Sequence, residues 1–567
     1  MIRFLLPVVL ALLSPLALAD APARKAPLHD AGIASANAYA TDAGMEVLAK
    51  GGNAFDAAIA VSATLGLVEP ESSGLGGGGF MLLRVAGDGR EVFIDARERA
   101  PYAATRDMFL DAEGNAVRDR SVNGALAAAI PGLPAGLDHL AKKYGRLPLR
   151  ESLAPAIRLA NEGWRFGPKN AAMLGWRREV LARSPAAAGL FLRDGQVPAE
   201  GTLMRNPDYA RVLERLAAQG ADGFYRGELA GRLVRGVNEA GGIWSERDLA
   251  EYRVVEREPL RISHRGYEIT TSPAPSSGGV ALATMLKVLE GYDYPRLDKA
   301  QRSHLLVEAM RRAYRDRALY LGDPDFVQAP VDMLTSDAYA AGLRASIHPA
   351  KATPSELLPG IDAQPLRPDT THFSIVDAEG NMIAVTQTVN LPYGNALVVP
   401  GTGFLLNNEM DDFSVKPGVP NAFGLLGDDA NAIAPGKRPL SSMTPTFISG
   451  HGRTAVLGTP GGSRIITMVM LGLLELMDGQ GAQATAAAPR FHHQYLPDVV
   501  QAEAGAFTDE EIEALRAMGH VVESSERTWG NMQVVLWHHD SGKVEAGADP
   551  RWEGVGKGSA SEASVYR

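Results

Sequence analysis

The spacing of apolar residues divides the chain into a helical part and a strand-rich part. Residues 37–50 (NAYATDAGMEVLAK) repeat at helical intervals and stop at Gly51-Gly52. Asn53 then offers a capping side chain for a second apolar helix, Ala54 to about Leu67. The stretch FMLLRV, a Gly-Asp-Gly turn and EVFIDA predict a β-hairpin. From about 135 to 345 the spacing is mainly helical, as in the Leu305, Leu306, Met310 and Tyr314 face of Lys299–Leu321. Residues 347–369 are Pro-rich without periodicity and predict a linker, loose over 350–369. At Thr370 the pattern turns strongly β: strands 371–376 and 382–389 flank the short loop Asp377 to Asn381. If Val376 pairs with Met382, then 374 opposes 384, 372 opposes 386, and Thr370 faces Thr388, with Cβ atoms about 5 Å apart. The pattern therefore predicts a mixed α/β fold, α-rich first and β-rich later.

Composition narrows the function. The 567 residues carry 56 Lys and Arg against 66 Asp and Glu, a formal charge of −10. That balance argues against nucleic acid, whose binders cluster basic side chains to displace counterions. The absence of cysteine removes disulfides, thiolate metal sites and a Cys nucleophile. Met1-Ile2-Arg3, the apolar stretch Phe4–Ala19 and the closing Ala17-Leu18-Ala19 predict a signal peptide over 1–19. The expected mature chain is periplasmic or secreted, with no membrane anchor after cleavage. Gly74, Gly76 and Gly79 spell G-x-G-x-x-G, but a helix precedes them and a hairpin follows. A dinucleotide site needs the reverse order, so close backbone packing is the better reading.

The hairpin register places Thr370 at a strand's leading end with a second hydroxyl beside it and Asn390 just beyond. Threonine pairs are common in sheets, so this alone carries little. With its neighbours it carries more. DTTHFSIVD with TQTVN, then NNEMDDFS, KRPLSSMTPT and TPGGSR, preceded by GLGGGGFM and ARERAP, resembles the γ-glutamyltranspeptidase (glutathione hydrolase) family of N-terminal-nucleophile hydrolases. The resemblance runs from about residue 28 to the C-terminus.

That resemblance implies a four-layer αββα sandwich and a precursor that cuts itself at Asp369–Thr370. The products would be a large subunit, 20–369, and a small subunit, 370–567, held together as a heterodimer. Scission puts a primary amine on Thr370. Its ordinary pKa of roughly 7.7–8.0 lets it accept the hydroxyl proton. Thr370 would then attack the γ-carbonyl of a glutamyl donor and pass the group to water or to an amine acceptor. The resemblance further implies that Thr388 orients the nucleophile and that Gly461 and Gly462 form the oxyanion hole. Arg97, Ser441 and Ser442 would grip the donor's α-carboxylate. Asn390, Glu409 and Asp412 would receive its α-ammonium group. No cofactor and no metal are implied. His492-His493 and His538-His539 read as structural, because adjacent residues rarely bind one ion.

Each motif also has a plain reading alone: Arg97-Glu98 as a solvated surface pair, Ser441-Ser442 as a turn cap, Asp411-Asp412 as a charged loop. Two positions depart from the family pattern. Phe423, in a lid-like stretch from Pro417 to Asn431, replaces a common Tyr, so a gate hydrogen bond toward Asn390 cannot form. Glu409 stands where some bacterial members carry Gln. Two other readings compete: a cephalosporin or glutaryl acylase on the same scaffold, and a non-catalytic periplasmic γ-glutamyl-peptide binder.

Overall fold

The computed structural model describes residues 30–358 and 370–558. The expected signal peptide and Asp369 lie outside them. Two antiparallel sheets pack face to face with helices on both outer sides, giving four layers. The first sheet has seven strands in the order Val555–Gly558, Gly32–Ser35, Thr371–Val376, Met382–Thr388, Gly78–Arg84, Glu91–Ala96, Val255–Arg257. The second has six: Val544–Ala548, Gln533–His538, Arg453–Gly458, Thr446–Gly450, Tyr267–Thr271, Leu260–His264.

Period-two alternation sorts the first sheet's side chains. Ile33, Phe373, Ile375, Ile383 and Val385 pack beneath helix Ala54–Val68. Ala34, Phe80, Leu82, Phe93 and Ala384 face the second sheet, which is backed by helices Gly278–Glu290 and Ile465–Met477. Both central strands are therefore buried on two faces, so every residue of Thr371–Val376 and Met382–Thr388 is buried.

The local expectations hold at several points. Asn37 and Asn53 cap helices Ala38–Ala49 and Ala54–Val68, the second with a reciprocal Asn53–Asp56 capping box. Val376 pairs with Met382, Ser374 with Ala384 and His372 with Thr386. The stretch read as mainly helical is interrupted, because Val255–Thr271 supplies strands to both sheets. Residues 351–358 are tied down rather than loose. Thr353 N–H donates to Glu308, Ser355 N–H to Asp498 and Tyr495 hydroxyl to the Leu358 carbonyl. Residues 359–369 lie outside the described region. No helix among the described residues is long and apolar enough to cross a membrane.

Candidate active site

Thr370 directly precedes the central strand Thr371–Val376 and is almost wholly buried. Alternation points Thr370, His372 and Ser374 toward the second sheet. Thr370 Oγ1 lies 3.2 Å from Thr388 Oγ1, and Thr388 Oγ1 accepts the Asn390 N–H at 2.8 Å. One step along, His372 Nδ1 meets Thr386 Oγ1 at 2.8 Å and its Nε2 meets Ser374 Oγ at 3.1 Å. Burial pushes the His372 imidazole down to about 3, so it is a neutral strut. Its ring lies against Gly458, where a Cβ would overlap it.

On the opposite face Thr371 Oγ1 donates to Glu69 at 3.0 Å, and Glu69 accepts Lys169 Nζ at 3.3 Å. The strand that Thr370 heads is thus held by side chains on both faces.

Gly458 ends strand Arg453–Gly458, which leads into Gly461 and Gly462. Both glycines have left-handed φ, 140° and 55°, which a side chain would resist. That turn presents backbone at the edge of the Thr370 cavity.

The cavity itself is lined by Thr370, Thr388, Asn390, Arg97, Glu409 and Asp412, with Ser441, Ser442, Gly462 and Phe423 completing it. Its free volume of about 20 Å³ holds roughly one water. Ten of the eleven residues singled out by sequence meet here. Gly461 instead faces the neighbouring groove.

Charge in the cavity is unbalanced. Arg97 is fully buried and forms ion pairs with Glu409 and with Asp412 Oδ2 (2.5 Å), while Glu98 Oε2 lies 3.6 Å from Nη1. Burial works against the guanidinium charge, but Glu409, Asp412 and Glu98 outweigh it and hold its pKa above the usual value. Three carboxyls surround one cation. Neither Glu98 oxygen nor Glu409 Oε2 meets an N–H or hydroxyl donor. Burial accordingly raises Glu98 to about 7 and Glu409 well above its ordinary range. Glu409 and Asp412, expected to meet an ammonium group, both pair with Arg97. Nearby, Ser441 Oγ accepts the Met443 N–H, and Ser442 Oγ is buried without a partner.

The stretch 417–431 lies over the cavity without a tyrosine. Asn421 Nδ2 donates to Asp412 Oδ1 at 3.1 Å and Ala422 N–H to Asp411 at 2.7 Å. Gln494 Nε2 donates to the Gly424 carbonyl at 3.1 Å. Phe423 contributes a buried ring to the lining. These hydrogen bonds hold the stretch without the hydroxyl that Phe423 lacks.

Sequence reasoning undervalued Glu98. The Arg97-Glu98 pair is buried, because the strand before it runs straight into the sheet core. It also missed Glu69 and Lys169, whose role depends on a contact between residues far apart in the chain. His492 bonds Thr467 and Gln494, whereas His493 bonds Asp498, so the adjacent rings serve different partners. Among the described residues no group of three or more His, Cys, Asp or Glu could hold a metal ion.

A threonine heading a central strand of a four-layer αββα sandwich, with a hydroxyl partner and a glycine turn at its side, defines an N-terminal-nucleophile hydrolase. The family described as Gamma-glutamyltranspeptidase matches residues 40–559, and the chain belongs to it. It is 43% identical over 493 residues to a glutathione hydrolase proenzyme of Pseudomonas sp. (strain A14), covering 86% of this chain and 85% of that one. A glutathione hydrolase proenzyme of Escherichia coli (strain K12) is 42% identical over 92% of this chain and 90% of its own. A solved cephalosporin acylase from Bacillus halodurans superposes with a TM-score of 0.83 at 28% identity, over 96% of this chain and 99% of that one.

Proposed function

We propose that the protein is a self-processing γ-glutamyl hydrolase and transferase acting on glutathione and related γ-glutamyl amides. The observation that carries this reading is the buried Arg97–Glu409–Asp412 cluster beside Thr370, because a glutamyl α-carbon presents one carboxylate and one ammonium group. Arg97 offers a planar fork to the carboxylate, with Ser441 and the unpartnered Ser442 hydroxyl beside it. Glu409 and Asp412, with Asn390, supply acceptors for the ammonium. A glutaryl or cephalosporin side chain has no such ammonium, so it would leave the acceptors of Glu409, Asp412 and Asn390 without the cation they suit. That disfavours the acylase reading.

The reaction follows from Thr370. Its hydroxyl first opens the Asp369–Thr370 bond, giving subunits 20–369 and 370–567 that remain paired, and an α-amine on Thr370. The amine takes the Oγ1 proton as Oγ1 attacks the donor's γ-carbonyl carbon. Negative charge gathers on the carbonyl oxygen, where N–H groups of Gly461 and Gly462 receive it; each such donor is worth about 10²–10³ in rate. The leaving amine departs with the proton. Water or a second amine then attacks the Thr370 ester, gives up a proton through the α-amine and restores the hydroxyl. Thr388 holds Thr370 Oγ1 in line. No cofactor or metal enters these steps. Export to the periplasm or medium belongs to the same reading.

N-terminal sequencing of the smaller fragment tests the scheme: it should begin at Thr370. Hydrolysis of a γ-glutamyl anilide should exceed that of the matching glutaryl anilide. A chain that stays whole while fully active overturns the scheme, and a chain that stays whole and inert leaves the binder reading.

A further inference from the structure

The helix-facing side of the central hairpin is apolar except at one place. Alternation turns Ile375, Phe373 and Thr371 of one strand, and Ile383, Val385 and Gln387 of the other, toward helix Ala54–Val68. The register pairs Ile375 with Ile383, Phe373 with Val385 and Thr371 with Gln387. Two apolar pairs are thus followed by a polar one. That polar pair is the last of the ladder before Thr370 and Thr388.

Side chains from the helix layer meet both members of this buried pair. Thr371 Oγ1 donates at 3.0 Å to Glu69, the residue that closes helix Ala54–Val68. Lys169 Nζ, from the start of helix Pro168–Leu181, donates to Glu69 at 3.3 Å and to Ser72 Oγ at 2.8 Å. Ser62 Oγ donates to Gln387 Oε1 at 2.5 Å, and Gln387 Nε2 donates to Ser73 Oγ at 3.0 Å. Glu69 and Lys169 are themselves buried. A buried ion pair adds little stability over packed apolar side chains of similar volume, so its place beneath Thr371 calls for another reason. Position supplies one. Thr370 stands one residue beyond the last paired position. Scission before it makes it a chain end, and chain ends fray unless they are tied down. The nearest tie on its own strand is Thr371, whose backbone pairs with Gln387 and whose hydroxyl is fixed to Glu69.

We propose that Thr371, anchored to the Glu69–Lys169 ion pair, is a positioning residue that holds the severed chain end so that Thr370 Oγ1 and its α-amine stay aligned with Thr388. The inference rests on the self-cleavage and the nucleophile proposed above. Thr371 lies on the face of the strand away from the Thr370 cavity, and the donor's carboxylate and ammonium fall to Arg97, Glu409 and Asp412. A reacting atom displaced by about 1 Å can cost about 10²-fold in rate. Loss of the anchor therefore slows the chemical step and spares donor binding.

The test compares the full chain with three variants. Thr371→Val and Thr371→Ala remove the hydroxyl with and without the branched shape, and Thr371→Ser keeps it. Folding is read from the melting temperature and scission from denaturing gels. Turnover of a γ-glutamyl anilide is expressed per mole of small fragment. The valine and alanine variants should lower kcat by about tenfold or more with donor KM within about threefold of the parent, and the serine variant should keep both within about threefold. A folded valine or alanine variant arrested as one uncut chain is the extreme of the same loss. Parent-level kcat in a folded hydroxyl-free variant, a loss carried by KM instead, or an equal loss in Thr371→Ser overturns the proposal. So does failure of both hydroxyl-free variants to fold beside a folded serine variant, which makes the bond structural alone. An unsubstituted protein that neither cuts itself nor turns over the anilide overturns the reading beneath the proposal, a separate outcome read before any variant is compared.

Discussion

Thr370 Oγ1 and Thr388 Oγ1 stand 3.2 Å apart across two buried central strands, and the Asn390 N–H pins the second hydroxyl from behind at 2.8 Å. The spacing is set by the hairpin register, in which Gln387 pairs with Thr371, so the contact costs little extra order. Thr388→Ala removes the partner hydroxyl and Thr388→Ser keeps it. Self-cleavage, followed on denaturing gels, should slow by about tenfold or more in the alanine variant, and by no more than a few-fold in the serine one. An alanine variant that processes at the normal rate removes Thr388 from the mechanism.

Thr370→Ala deletes the proposed nucleophile while leaving the sheet intact, since the side chain contributes only one hydroxyl and one methyl group at the head of a central strand. The chain should run as a single band and show no γ-glutamyl hydrolysis. A melting temperature within a few degrees of the parent would establish that the loss is chemical. An active Thr370→Ala protein refutes the assignment.

The legible part of this protein was local. Asn53, the helix after it and the Val376–Met382 register follow from capping and from period-two alternation, which act over a few residues. The strands in Val255–Thr271 were less visible, because they join sheets whose other strands lie more than a hundred residues away in the chain. The site divides in the same way. Thr370 and Thr388 share a hairpin, so spacing alone brought them together. Arg97 meets Glu409 and Asp412 across more than 300 residues, and only the resemblance to a family joined them. The burial of Glu98 followed from neither, because Arg-Glu after a strand reads as surface until the fold shows what covers it.

Arg97→Lys exchanges a planar fork for a single ammonium. Arg97 now spans Glu409 and Asp412 and also donates through Nε to the Pro439 carbonyl at 3.1 Å. A lysine cannot hold those three directions at once. The donor KM should rise by about tenfold or more, with a smaller change in kcat, because the affected group lies at the donor's α-carbon and away from the reacting carbonyl. An unchanged KM counts against a carboxylate-binding role.

The Glu98 carboxyl makes donor binding depend on pH. Burial raises it from 4.5 to about 7, with Arg97 pulling the other way, and Asp412 and the similarly raised Glu409 share the cluster. Below pH 7 these carboxyls therefore hold a proton among them. A donor ammonium is best met by the ionised form, so binding from acid solution must expel that proton. Donor KM should rise as pH falls from 7.5 toward 5.5, by up to about tenfold per unit. Glu98→Gln mimics the protonated carboxyl without its titration and should flatten that rise. Stability moves with the opposite sign. Between pH 4.5 and 7 the folded chain binds this proton and the unfolded chain does not, so the carboxyl's contribution to stability falls as pH rises through that window. The melting temperature of Glu98→Gln relative to the parent should therefore increase from pH 5 to pH 8. Parallel KM profiles and a constant difference in melting temperature would show that Glu98 does not titrate there.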